Sequence, residues 1–115
     1  MNRLINQHQN LQKELENFLE KRRPPVEMRN QVDIGFSFVS QVVEIFEIRP
    51  HFKDEDKILN IPIAKSRYIK SRGIWKIYWR RGNGKWEAYD PQFEVSSLSD
   101  FLKIVDEDEH YCFWG

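Results

Sequence analysis

Four cations and two tyrosines, Lys65, Arg67, Lys76 and Arg80 with Tyr78 and Tyr89, are the residues of this sequence whose types and spacing point to chemistry. Ammonium and guanidinium groups neutralise phosphates, and aromatic faces stack unpaired bases. Together they make the surface with which open sheets hold single-stranded nucleic acid or another polyanion. The charge distribution agrees: residues 60–86 hold eight Lys/Arg and no acid, residues 1–59 nine against ten, and residues 87–115 one against eight. The formal net charge is zero. The plainer reading is therefore a solvated face, partly covered by the acidic residues 106–109 or by Glu44 and Glu47.

Other chemistry is less well supported. Asp106, Asp108 and His110 alternate as three ligands on one side of an extended segment would, but acids at a helix end beside one His are common. Asp33 followed by Glu47-Ile48-Arg49 is a poor match for paired acids holding Mg²⁺, because arginine stands where a lysine is expected. His8, His51 and His110 lie in three different contexts, and no Ser or Cys sits in a nucleophile motif. Enzyme activity is disfavoured, and neither a metal nor a cofactor is expected.

Sixteen aromatic residues in 115, each burying roughly 150–250 Å², supply a core without metals or disulfides. The length fits one domain, 1–115. The lone Cys112 reads as a small buried apolar residue in a reducing compartment. Residues 1–8 lack an apolar targeting core, and no run approaches the roughly 18 apolar residues of a membrane span. The expected location is cytoplasmic, without membrane contact.

Elements must position the cations and rings. Leu4, Ile5, Leu11, Leu15, Phe18 and Leu19 share one helical face, predicting a helix over about 2–21 that Pro24-Pro25 stops. Alternation predicts strands over 31–38 and 41–48, with a loop or short helical turn over 51–60. Two further strands, 61–71 and 74–82, join through Arg72-Gly73, and Asn83-Gly84 is the favoured two-residue type I′ hairpin sequence. Ser96-Ser97 offers an N-cap for a second helix over about 97–107, ending at the acids 106–109. The last six residues are apolar enough to dock on the core as a strand or plug.

The type I′ register sets Gly82 opposite Lys85, Arg81 opposite Trp86, Trp79 opposite Ala88 and Tyr78 opposite Tyr89. It divides the meander 61–90 into a core face (Ala64, Ser66, Tyr68, Trp75, Ile77, Trp79, Trp86, Ala88) and a solvated face (Lys65, Arg67, Ile69, Lys76, Tyr78, Arg80, Glu87, Tyr89). A one-residue slip exchanges the faces. The expected fold is α+β: an antiparallel sheet of five or six strands within about 31–90, covered by an N-terminal and a C-terminal helix.

Ala64-Lys65-Ser66-Arg67-Tyr68, Trp75-Lys76-Ile77-Tyr78-Trp79-Arg80-Arg81, Lys85-Trp86 with Tyr89, and Phe113-Trp114-Gly115 together resemble a family of short bacterial proteins, DUF 3024. The resemblance covers roughly the last two-thirds of the chain and implies a bacterial or phage-borne origin. It brings no activity. Family members often carry a His after the hairpin tryptophan, where this chain has Glu87, so any role of that imidazole is absent. The reading is thus a non-enzymatic module for single-stranded nucleic acid or another polyanion. The alternative is a homo-oligomer or protein-interaction module using the first helix or the aromatic C-terminal end.

Overall fold

A computed structural model describes residues 3–114, with side chains from residue 9 onward. Helix α1 (Arg3–Arg22) carries Lys21 and Arg22 in its last turn, where cations complement the helix dipole. Leu15 is buried, and Leu11, Phe18 and Leu19 pack against the core beside it. The predicted start at Asn2 and the side chains of Leu4 and Ile5 lie outside the described residues. No helix among the described residues is long and apolar enough to cross a membrane.

The strands are β1 (Asp33–Val39), β2 (Val42–Pro50), β3 (Ile58–Ile69), β4 (Ile74–Arg80), β5 (Trp86–Ala88) and β6 (Glu94–Val95). They form one antiparallel sheet in the order β1-β2-β3-β4-β5, and β6 pairs β4 on the same edge as β5. Helix α2 (Leu98–Glu107) follows, its N-cap Ser97 accepting the Asp100 N–H at 3.1 Å. The helices and the sheet bury one shared core: Leu15, Val43, Ile45, Ala64, Ile77, Leu98, Phe101 and Val105 are fully enclosed. Inward-facing Ser66 is satisfied by donating to the Lys76 carbonyl at 2.9 Å. The α+β architecture is the expected one, with six strands.

Two turns differ from expectation, at Arg72-Gly73 and Asn83-Gly84: Ile69 pairs Ile74, so the first is a four-residue loop, 70–73, with Gly73 at φ 63°. The two-residue loop with positive φ at both positions is Ser40-Gln41 (φ 49° and 65°), between the paired Val39 and Val42; this is the type I′ signature. At the Asn83-Gly84 hairpin, Arg81 N–H donates to the Lys85 carbonyl and Gly84 N–H to the Arg81 carbonyl. Only Gly84 (φ 82°) has left-handed backbone there. Residues 82–84 thus form a three-residue loop, a turn followed by a glycine bulge. Asn83 does not adopt positive φ. Its Oδ1 instead accepts the Lys85 N–H at 2.9 Å, a local bond that stabilises the longer loop.

Asp33 fixes α1 to the sheet. Arg23, just past the helix, donates to both its carboxylate oxygens at 2.9 and 2.7 Å. These hydrogen bonds, with the Ile34 N–H, hold the Asp33 carboxyl below its ordinary value of 3.8 against the opposing effect of burial. A depressed carboxyl contributes stability that is fully present above 3.8 and is lost as pH falls through its lower folded value. Unfolding free energies measured in urea from about pH 6 to about pH 2 should therefore fall more steeply at the acid end for the native chain than for Asp33→Asn. For the hairpin, Gly84→Ala should cost about 1–2 kcal/mol. Asn83→Ala, which loses one exposed hydrogen bond, should cost less than about 1 kcal/mol; a larger loss at Asn83 than at Gly84 would restore the type I′ turn.

Candidate functional site

In antiparallel strands directly opposed residues share a face, and successive residues alternate between faces. Lys65 lies opposite Tyr78, Arg67 opposite Lys76 and Arg80 opposite Trp86. Their neighbours Ala64, Ser66, Trp75 and Ile77 are buried, so the cations stand on the face away from the helices. The Lys65 ammonium lies 5.1 Å from the Tyr78 ring centre and 4.7 Å from that of Trp86. Lys76 lies 5.5 Å from the Phe93 ring, which meets Tyr78 edge-on at 5.4 Å. The result is a row of three rings, Phe93, Tyr78 and Trp86, interleaved with Lys76, Lys65 and Arg80. Partial burial pushes the Lys65 ammonium below its ordinary value, Glu44 opposes that shift, and Arg67 adds to it.

Five of the six residues singled out in the sequence, Lys65, Arg67, Lys76, Tyr78 and Arg80, share this face. Tyr89 does not: it is only 4% exposed and packs on Phe113 with ring centres 5.0 Å apart. The three-residue loop is the cause. One extra residue makes Tyr78 face Ala88 and Trp79 face Glu87, so every side chain of β5 changes sides relative to the type I′ register. Trp86 and Ala88, expected in the core, lie on the basic face, and Glu87 lies on the core side. Only the short β5 is exchanged, so the sole charge moved is Glu87, which pairs with Arg81 at 3.3 Å at the sheet end. Sequence reasoning also missed Phe93. Its only signal was a two-residue strand, β6, returning to β4 after Asp90-Pro91.

The acids are distributed unevenly around the face. Glu44 lies opposite Lys65. Glu94 lies opposite Lys76, but Arg72 engages both its oxygens at 2.9 and 3.2 Å, and Glu47 pairs with Arg49 at 2.6 Å. Residues 106–109 belong to the helical side. Asp106 pairs with Arg22 at 3.0 Å. Asp108, buried in a left-handed conformation, accepts the N–H groups of Phe113 and Trp114 at 3.1 and 2.9 Å. Among the described residues, Lys65, Arg67, Lys76 and Arg80 make no ion pair.

The remaining sequence candidates have structural duties. With Asp106 and Asp108 so engaged, they do not converge with His110, and no His/Cys/Asp/Glu group suited to a metal occurs among the described residues. His51 Nδ1 accepts the Lys53 and Asp54 N–H groups within its own turn. Cys112 is half-buried, and burial pushes its thiol up. At the C-terminal end Phe113 is in the core. Trp114 donates Nε1–H to the Val105 carbonyl at 2.9 Å, with Arg22 over its ring at 4.5 Å. Gly115 lies outside the described residues.

A family model described as Domain of unknown function (DUF3024) matches residues 4–115, and the chain belongs to that family. No curated protein and no solved structure matches it. The exchange of Trp86 and Tyr89 has a direct consequence for stability. Tyr89→Ala should cost about 3–5 kcal/mol in denaturant unfolding, and Trp86→Ala less than half of that. Equal losses would place both rings in the core.

Proposed function

We propose that this chain is a non-enzymatic module that binds single-stranded nucleic acid, as the best-matched polyanion, through the outer face of β3, β4 and β5. The observation that carries the reading is the Lys65 ammonium seated between the Tyr78 and Trp86 rings on a face where four cations lack an ion pair among the described residues. Phosphates draw Lys65, Arg67, Lys76 and Arg80 outward, and unpaired bases take the vacated aromatic surface. Each stacked base contributes about 1–3 kcal/mol and needs no particular sequence. A duplex keeps its bases stacked internally and forgoes that term. The lone cysteine suits a reducing, cytoplasmic setting.

A protein partner is the second reading. Phe52 is 82% exposed, with Ile58 and Leu59 also exposed at the same tip of the β2–β3 hairpin. That patch favours it more than the two places the sequence suggested, because the described part of the α1 stripe and Phe113 are used within the molecule. A monomer in sizing measurements at micromolar concentration would remove the homo-oligomeric form of this reading.

Fluorescence anisotropy with labelled single-stranded DNA and RNA at several salt concentrations tests the main reading. Affinity should fall as salt rises, because bound phosphates release counterions. Trp86→Ala should weaken binding by about 1–3 kcal/mol, and Lys76→Glu with Arg80→Glu should abolish it with an unchanged unfolding midpoint. Absent binding, or salt-independent binding, near about 50 mM salt overturns the proposal.

A further inference from the structure

Beside Trp86 the basic face runs over the sheet end into a cleft of about 450 Å³, within the roughly 300–1,000 Å³ range of small-molecule sites. Arg80, Arg81 and the loop residues 82–84 form one wall, and Ile61 and Pro62 are on the other, backed by the buried Ile63 and Phe113. The bulge in β3 builds that second wall. Ile45 pairs Ala64 while Phe46 pairs Pro62, leaving Ile63 as the extra residue. The three-residue hairpin loop builds the first wall. Arg80, the last residue of β4, and Arg81, just past it, therefore both line the cleft.

We infer that this cleft seats the terminal nucleotide of a bound single strand, with a terminal phosphate against Arg80 and Arg81 and the sugar and base on the half-exposed Ile61 and Pro62. The inference rests on the reading of the basic face given above. Arg80 belongs to both features: it lies opposite Trp86 and lines the cleft, so the cleft adjoins the stacking surface. Around the loop, Arg80, Arg81 and Lys85 stand against one acid, Glu87, which holds Arg81 at 3.3 Å. Phosphate is a better partner than that exposed pair, because a guanidinium binds it through two parallel hydrogen bonds and its charge exceeds one. A ligand with an apolar body and an anionic end matches a cleft with one apolar and one cationic wall.

The test uses the full chain and a short, internally labelled oligothymidine bearing a phosphate at its 5′ end, at its 3′ end, or at neither. Anisotropy titration should show about tenfold tighter binding for a phosphate at one end, the effect of a single charge-assisted hydrogen bond. A phosphate at the other end should change affinity little. Arg81→Gln should remove the difference between the two ends, and Glu87→Gln, which releases Arg81, should enlarge it. Equal affinities for all three oligonucleotides overturn the cleft and leave the basic face standing. Equal strengthening by both phosphates, unaffected by either variant, also overturns it, since general charge then explains the gain. No binding of any oligonucleotide overturns the cleft together with the reading on which it rests.

Discussion

The length of one hairpin loop determines which residues this chain offers to its surroundings. Gly84, at φ 82°, closes the β4–β5 hairpin with three loop residues. Side chains alternate strictly along a strand, so the loop length assigns every residue of β5 to a face. With three residues, Tyr89 enters the core against Phe113 and Trp86 comes out beside Lys65. With two, those positions would exchange, and the outer face would lose the ring that sets one side of the Lys65 seat.

The rest of the structure holds this arrangement in place. Helices α1 and α2 cover the opposite face, and the bonds that join them keep the acidic C-terminal segment there too. Arg22 binds Asp106 and lies over Trp114, while Asp108 collects the N–H groups of Phe113 and Trp114. Each carboxylate used in this way is one fewer available to neutralise Lys65, Arg67, Lys76 and Arg80. The zero net charge thus divides spatially into an outer basic face and a helical side rich in internal acid pairs. Glu44 and Glu94 are the exceptions: Arg72 engages Glu94, while Glu44, opposite Lys65, moderates the basic face.

Much of the fold was legible because its signals are local. The stripe Leu11, Leu15, Phe18 and Leu19, the Pro24-Pro25 stop, the Ser97 cap and the alternation through β1 to β4 each act within a few residues, and each was read correctly. The face of β3 and β4 was legible too, since a slip there would bury several cations of one sign. The face of β5 was not. Asn-Gly favours a two-residue turn, but Asn83 can instead accept the Lys85 N–H, and Gly84 supplies the positive φ either way. Inverting β5 moves only one charge, Glu87, which Arg81 pairs at the sheet end, and swaps one large ring for another in the core. Composition cannot separate two registers so evenly matched. Phe93 and the cleft beyond Trp86 depend on a two-residue strand and a bulge at Ile63, features too small to leave a periodic trace.

The central claim is that Trp86, set on the basic face by the hairpin register, is the tryptophan a ligand touches. The four indole N–H signals of a ¹⁵N-labelled sample, assigned by single substitution and followed during titration with oligothymidine, test it most directly. The account predicts that the Trp86 signal shifts progressively with added oligonucleotide while that of buried Trp75 stays in place. Movement of the Trp75 signal with a stationary Trp86 would contradict it.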